Sequence, residues 1–183
     1  MFIQTESTPN PATLKFLPGN RVLGEGSRDL KSIEEARVSP LASALFSIDG
    51  VTGVFLGADF ISVTKESGDW QNLKPAILGA IMEHYMTGGP ILTDESTVAD
   101  VEDFAAEDSE TVAAIKDLLE TRVRPAVASD GGDIVFRGFK DGIVYLQMKG
   151  ACSGCPSSTA TLKRGIQNLL CHFLPQVKSV EQA

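Results

Sequence analysis

The sequence predicts an α+β protein with two domains joined by an acidic linker. Apolar residues recur at helical spacing in four segments, and short runs rich in β-branched and aromatic residues lie between turns that contain Gly or Pro. Residues 88–111 carry eight acidic and no basic side chains, whereas the flanking regions carry both signs. These changes of composition place a first domain at 1–88, a linker at 89–108 and a second domain at 109–183.

The first domain is predicted to be an α+β module. Two prolines in Thr8-Pro9-Asn10-Pro11 block a helix and separate two short strands. Ser39 suits a helix N-cap, Pro40 suits the first helical position, and Gly88-Gly89-Pro90 stops the last helix. In chain order the predicted elements are strands at 2–6 and 13–17, a helix at 40–46, strands at 51–56 and 60–65, and a helix at 75–86. No constellation of catalytic type occurs, so we interpret this domain as a partner-recognition or regulatory module.

The second domain is predicted to be a small two-layer α/β sandwich. Its first helix has apolar residues at helical spacing up to Val123, and Pro125 is expected to end it. Lys140-Asp141-Gly142 between two apolar runs is typical of a β-hairpin. The predicted elements are a helix at 112–123, strands at 134–139 and 143–148, a helix from about 156 to 173, and a strand at 177–180.

Cys152 and Cys155 are the most informative residues in the chain. Only Ser153 and Gly154 separate them, so both sulfur atoms can converge on one metal ion or on neighbouring irons of a cluster. The pair lies between a predicted strand and the start of a predicted helix. Unpaired amide N–H groups and the positive end of the helix dipole favour thiolate over thiol at such a place.

The number of ligands limits what this pair can hold. Common [2Fe–2S] and [4Fe–4S] clusters take four cysteine ligands, and structural zinc takes four ligands drawn from Cys and His. One chain supplies one pair in this loop, so two copies of the chain would complete the set. A cluster shared across a small, exposed interface would be labile, which suits a protein that passes its cluster on.

Both domains also carry longer runs of residues that occur together in one known family. In the second domain these are Arg124-Pro125, Asp130-Gly131-Gly132-Asp133, the run 150–158, and Thr161-Leu162-Lys163. In the first domain they are Thr8-Pro9-Asn10-Pro11, Thr13-Leu14-Lys15-Phe16 and Ser39-Pro40-Leu41-Ala42. With these runs in this order, the chain resembles the NifU-like (Nfu-type) family of iron–sulfur cluster scaffolds and carriers over nearly its whole length.

The resemblance implies a function and a set of partners. It implies that Cys152 and Cys155 bind a cluster, expected to be [4Fe–4S] or else [2Fe–2S], and that this cluster is delivered to apo-proteins. The expected partners are a second copy of the chain bridged by the cluster, recipient apo iron–sulfur proteins, and upstream cluster-assembly proteins. Binding and transfer need no catalytic residues, so we do not expect an enzyme.

Two other functions are compatible with the same cysteine pair. A thiol–disulfide oxidoreductase could cycle a Cys152–Cys155 disulfide, although Pro156 follows the second cysteine here instead of a proline lying between the two. A structural dimer stapled by zinc would use the same four thiolates from two chains.

We assign roles other than metal binding to Cys171, His84, His172 and Trp70. Cys171 could be a third ligand or a reactive thiol, but it follows Cys155 by sixteen residues, at the far end of a helix about 25 Å long at ~1.5 Å per residue. We therefore predict that Cys171 is not a ligand. His84 and His172 are predicted to be surface or capping groups near helix ends. Trp70 is predicted to lie in the core or at a helix entry.

Charged residues near the cysteines also have structural interpretations. Asp130 and Asp133 flank Gly-Gly and are predicted to be turn residues that bond their own backbone, since this turn lacks the length and the lysine of a phosphate loop. Lys149, Lys163 and Arg164 could balance the charge of a cluster or contact an acidic partner, or simply form a solvated face.

Composition argues against several other classes of protein. A net charge of −8 and a pI of about 4.7 argue against a nucleic-acid binder. The sequence contains no run of about 18 apolar residues, which is the length that a membrane span requires. Residues 1–16 resemble neither a secretory signal nor an Arg-rich transit peptide. We therefore expect a cytoplasmic protein of bacterial type, or else a mature organellar form from which a presequence has been removed.

Overall fold

The computed structural model describes residues 2–24, 26–93, 109–151 and 156–182, apart from the side chains of Ser109 and of residues 156–158. The chain divides into two compact units, residues 1–98 and 99–183. Both units combine helices and strands, which confirms the predicted α+β class. Within the described residues, no helix combines the length and the apolar composition that crossing a membrane requires.

The first unit is built on a five-stranded antiparallel sheet in the order β1-β2-β5-β4-β3. Two of its helices, α2 and α3, contribute residues to the core beside strands β2, β4 and β5. In chain order its elements are β1 (Gln4–Ser7), β2 (Thr13–Leu17), β3 (Arg28–Leu30), α1 (Ile33–Ala36), α2 (Pro40–Phe46), β4 (Val51–Leu56), β5 (Ile61–Lys65) and α3 (Trp70–Thr87).

The turn Thr8-Pro9-Asn10-Pro11 is held together by its own side chains. Thr8 Oγ1 lies 2.9 Å from the carbonyl oxygens of both Asn10 and Thr13, and Asn10 Oδ1 accepts the amide proton of Ala12 at 3.0 Å. The indole Nε1 of Trp70 donates to the carbonyl of Pro11 at 3.1 Å. Trp70 is the first residue of α3, so it lies at a helix entry as predicted and ties that entry to the turn.

Helix α3 begins at Trp70, five residues earlier than the predicted start at 75. Pro75 is therefore inside the helix, where it removes one backbone hydrogen bond. The helix persists because Leu73, Ile77 and Ile81 bury one face in the core of the unit. Strand β3 and helix α1 are short elements that the sequence pattern did not reveal.

Residues 89–93, which we assigned to the linker, belong to the first unit. Ile91 and Leu92 pack against its core, and the amide of Thr93 donates to the carbonyl of Val38 at 2.8 Å. The rest of the predicted linker, residues 94–108, lies outside the described residues. The boundary at residue 88 and the linker itself stay predictions.

The second unit has a three-stranded sheet in the order β6-β7-β8. Strands β6 and β7 are antiparallel, whereas β7 and β8 are parallel. Its elements are α4 (Ser109–Leu118), a π-helical turn (Leu119–Val123), α5 (Arg124–Ser129), β6 (Gly132–Lys140), β7 (Ile143–Gly150), α6 (Pro156–Phe173) and β8 (Ser179–Gln182).

The core of this unit lies between its sheet and its helices. Alternate residues of β7, namely Val144, Leu146 and Met148, are buried together with apolar residues of α4 and α6 such as Ile115 and Leu170. This alternation is the two-residue period of a strand with one buried face. The arrangement is the two-layer sandwich that the sequence predicted.

Pro125 does not end the helix before it, so that prediction was wrong. The amide of Arg124 donates to the carbonyl of Leu119, five residues back, within a π-helical turn. Pro125 then lies at the start of α5, a position where the missing N–H of proline costs little. The helical segment continues to Ser129.

The hairpin between β6 and β7 is confirmed, and its turn fixes the pairing of the two strands. Asp141 and Gly142 have φ angles of 53° and 79°, the backbone of a two-residue hairpin turn. Lys140 therefore pairs with Ile143 at this end. The ladder runs, with one irregularity between Phe136 and Gly138, to the other end of both strands.

Replacing Gly142 with alanine should destabilise the second unit. The new Cβ would require a left-handed backbone and would lie 2.9 Å from Lys178 Cγ and 3.1 Å from the carbonyl oxygen of Gln176. We expect the free energy of unfolding to fall by about 1–2 kcal/mol. Urea titration followed by NMR signals of the second unit would measure this change.

Gly165→Ala is the matched control for that substitution. Gly165 lies within α6, and a Cβ there would meet no atom within 4 Å. Alanine should raise the free energy of unfolding by about 0.5–1 kcal/mol through helix propensity alone. Equal effects of the two substitutions would contradict the account of the turn.

Candidate metal centre

The predicted cysteine site lies between two described elements. Strand β7 ends at Gly150, Ala151 follows with only 2% of its surface exposed, and α6 begins at Pro156. Cys152 and Cys155 themselves lie outside the described residues. Their assignment as ligands therefore stays a prediction, and the structure describes the frame on either side of them.

The frame before the cysteines is joined to the start of β6. The amide of Ala151 donates to the carbonyl oxygen of Gly131 at 3.3 Å, and Gly132 is paired with Gly150 in the ladder. Gly131 and Gly150 have φ angles of 81° and 68°, a left-handed backbone that favours glycine. The Gly-Gly turn is therefore the neighbour of the residue that immediately precedes Cys152.

Asp133 lies at the start of β6 and is buried, with 6% of its surface exposed. Its Oδ1 accepts from Nε of Arg124 at 2.9 Å and from its neighbour's amide, that of Ile134, at 2.8 Å. Its Oδ2 accepts from Nη2 of Arg124 at 2.9 Å. The interpretation of Asp133 as a turn residue was incomplete, because its carboxylate also forms a bidentate ion pair across the turn.

The same arginine has a second, exposed partner. Nη1 of Arg124 donates to Oε2 of Glu120 at 2.7 Å, and 68% of the Glu120 side chain is exposed. The hydrogen bond to Asp133, and more weakly that to Glu120, holds the pKa of Arg124 above its usual value against the effect of burial. Arg124 is therefore a permanent cation beside the Gly-Gly turn.

The start of α6 suits a negatively charged group. Its first turn contains no acidic residue, and the N-terminus of a helix carries partial positive charge. Of the three basic residues singled out from the sequence, Lys163 pairs with Glu181 at 2.7 Å and Arg164 is exposed. Lys149 lies opposite Asp133 in the β6–β7 ladder.

Cys171 is placed away from the start of α6. It lies fifteen residues beyond Pro156, or about 22 Å along the helix axis at ~1.5 Å per residue. Its Sγ lies 3.7 Å from the carbonyl oxygen of Lys178, and its side chain packs against the second core. No group of three or more His, Cys, Asp or Glu side chains suited to a metal ion occurs among the residues that the structure describes.

The two histidines differ in their surroundings. His172 is exposed at the end of α6, with its ring edge-on to Phe173, as predicted. His84 was predicted to be a surface or capping group; with 8% of its surface exposed it is not a surface group, but its side chain forms a hydrogen bond with the backbone of Gly89 just beyond the end of α3, as a capping group does. It follows Ile77 and Ile81 at helical spacing and continues the buried face of α3, a periodicity that could have revealed it.

Models of two protein families match the chain. The family described as "Scaffold protein Nfu/NifU N terminal" matches residues 3–88, and the "NifU-like domain" matches residues 115–181. The order of the two domains is the one that the sequence resemblance implied. The chain belongs to the NifU-like, or Nfu-type, family.

Curated relatives agree with this family over the whole chain. NifU-like protein 4, mitochondrial, and NifU-like protein 5, mitochondrial, both from Arabidopsis thaliana, are 54% and 53% identical to it. The NFU1 iron-sulfur cluster scaffold homolog, mitochondrial, from Drosophila ananassae is 53% identical. All three alignments include the complete chain, which spans 66%, 68% and 64% of the respective relatives, or about two thirds of their length.

The expectation of a cytoplasmic protein of bacterial type was wrong. Relatives that align with the whole chain are named as mitochondrial proteins. The expectation had rested on residues 1–16, which resemble neither a secretory signal nor a transit peptide.

His84 should make the stability of the first unit depend on pH. Burial lowers the pKa of His84 from its usual 6.5, and contact with the backbone of Gly89 offsets this only in part. The unfolded chain therefore binds a proton more readily, so the free energy of unfolding should decrease as the pH falls below about 6.5. Urea titrations at several pH values, followed by NMR signals of the first unit, would measure this slope.

The variant His84→Gln should reduce that slope, because an amide does not titrate. His172→Gln is the control, since His172 is exposed and lies in the second unit. An unchanged pH dependence in His84→Gln would show that other groups cause it.

Proposed function

We propose that this chain is an iron–sulfur cluster scaffold and carrier. Cys152 and Cys155 of two copies hold a labile cluster, which is then passed to apo-proteins. The observation that carries the proposal is the position of Cys171 at the far end of α6, anchored against the core and the carbonyl of Lys178. That position leaves one chain with two thiols at the start of the helix.

Two thiols are half of a ligand set. Clusters of the [2Fe–2S] and [4Fe–4S] types take four cysteine ligands, so a second copy of the chain supplies the other two. We assign a [4Fe–4S] cluster, as the family resemblance implies. The positive N-terminus of α6 and the absence of acidic residues from its first turn favour thiolates and an anionic cluster there.

Delivery proceeds by exchange of ligands and not by enzymatic turnover. A cysteine of the recipient loses its proton and bonds to iron as a thiolate, while Cys152 or Cys155 leaves the iron and takes up a proton. The cluster keeps its charge and its electrons in each exchange. The first unit, which supplies no thiol, serves in partner recognition.

The names of the relatives support the cargo and the compartment. One is named an iron-sulfur cluster scaffold homolog, and all three that we compared are named mitochondrial. We therefore place this chain in mitochondria, with apo iron–sulfur proteins of that organelle as recipients and cluster-assembly proteins as upstream partners.

Anaerobic reconstitution with iron and sulfide tests the proposal. The protein should become a brown dimer with one cluster per two chains, as judged by its visible spectrum, its iron and sulfide content and its mass in solution. Cys152→Ala and Cys155→Ala should each abolish the colour and the dimer, because each removes two of the four ligands from the shared site. Cys171→Ser is the matched control and should reconstitute like the unmodified chain.

Two other outcomes would replace the proposal. A colourless monomer that cycles a disulfide between Cys152 and Cys155 and reduces insulin would indicate a thiol–disulfide oxidoreductase. A colourless dimer with one zinc ion per two chains, whose melting temperature collapses with a chelator, would indicate a zinc-stapled structural protein.

A further inference from the structure

The ion pair between Arg124 and Asp133 joins the helical half of the second unit to the sheet. Arg124 begins α5, and Asp133 is the second residue of β6. Two parallel hydrogen bonds of 2.9 Å connect the guanidinium to both carboxylate oxygens. This bidentate geometry fixes distance and orientation together, which a single contact between point charges does not.

The carboxylate also fixes the strand to which it belongs. Asp133 Oδ1 accepts the amide proton of Ile134 at 2.8 Å, so the same oxygen bonds both the arginine and the backbone of β6. Only 6% of Asp133 is exposed, and a buried carboxylate is costly unless it is paired. Arg124 therefore helps to hold Asp133 in place at the start of β6.

The start of β6 in turn holds the chain just before the cysteine pair. Gly132 is the ladder partner of Gly150, and the carbonyl of Gly131 accepts the amide proton of Ala151 at 3.3 Å. Gly131 and Gly132 lie immediately before Asp133 in the chain. A displacement of Asp133 would be passed through two residues to Ala151, the neighbour of Cys152.

We propose that Arg124 and Asp133 are positioning residues for the cysteine pair. Their ion pair holds the Gly131-Gly132 turn, and the turn holds Ala151 and thereby the entry of the chain into residues 152–155. This role rests on the proposed function, because it matters only if those cysteines bind a cargo. Neither residue is assigned contact with the cluster.

The pair is suited to this role by its permanence. The guanidinium of Arg124 is always charged, its hydrogen bonds to Asp133 raise its pKa further, and the carboxylate of Asp133 is buried. Two thiolates from each chain must reach one cluster together, and ligand orientation depends on the residues that support the ligands. A loosened turn would leave Ala151 less firmly held, and Ala151 is the residue to which Cys152 is joined.

The test compares substitutions of Arg124 and of its two carboxylate partners, Asp133 and Glu120. Asp133→Asn removes the buried carboxylate, and Arg124→Lys keeps the charge but lacks the fork that reaches both oxygens. Glu120→Gln is the matched control, since it removes only the exposed partner of Arg124. All three variants are made in the full chain.

The first readout is amide hydrogen exchange of the apo protein, measured by NMR. We expect Ala151 to exchange about tenfold faster in Asp133→Asn and in Arg124→Lys, while Val144 and Leu146 inside β7 keep their protection. Glu120→Gln should leave all three amides unchanged. An unchanged Ala151 would overturn the proposal, and so would equal acceleration of every core amide, which would mean that the pair only stabilises the fold.

The second readout is the lifetime of the reconstituted cluster in excess chelator. Cluster loss should be about tenfold faster in Asp133→Asn and in Arg124→Lys and unchanged in Glu120→Gln, a size typical of residues that support metal ligands. A cluster that lasts equally long in all variants would overturn this inference and leave the proposed function intact. Failure of the unmodified chain to take up any cluster would instead overturn the proposed function.

Discussion

The register of the β6–β7 hairpin is the constraint on which the second unit depends. The left-handed backbone of Asp141 and Gly142 closes a two-residue turn. The pairing that starts there, together with the one-residue shift between Phe136 and Gly138, brings Gly132 opposite Gly150 at the other end. A slip of one residue would turn the apolar face of β7 out of the core and would also move Ala151 away from Gly131. One register therefore serves both packing and the placement of the cysteine segment.

Signals that are local in sequence predicted their elements well. Lys140-Asp141-Gly142 located the hairpin, because turn chemistry depends on adjacent residues. The sequence did not predict features that depend on contacts between residues distant in the chain or on the packing of a whole element. The continuation of the helix through Pro125 required a π-helical turn, and the partner of Asp133 lies nine residues away in another element. The chemistry of the site was inferred from Cys152 and Cys155 and their surroundings, whereas the residues that support its frame became apparent only from the fold.

The runs that carry the family resemblance have different physical roles in the two units. In the first unit, Thr8 and Asn10 close a turn on themselves, Trp70 secures that turn to α3, and Ser39 caps α2 by accepting the amide proton of Ala42. These side chains satisfy hydrogen bonds within the fold, and none of them is a thiol. The runs of the first unit thus have structural roles, and the proposed metal site rests on the cysteines of the second unit alone.

A site that is incomplete in one chain has a consequence for the proposed transfer. Bringing two chains together around a cluster costs each of them translational and rotational freedom, a term of about 4–15 kcal/mol in total. A recipient that carries all four ligands on one chain does not incur that cost for the second pair of ligands. Transfer from the bridged pair to such a recipient is therefore favoured even when every iron–sulfur bond is equally strong on both sides. In this proposal the hydrogen bond from Ala151 to Gly131 holds the residue that precedes Cys152, so that less ordering of the chain is left to be done when the second copy binds.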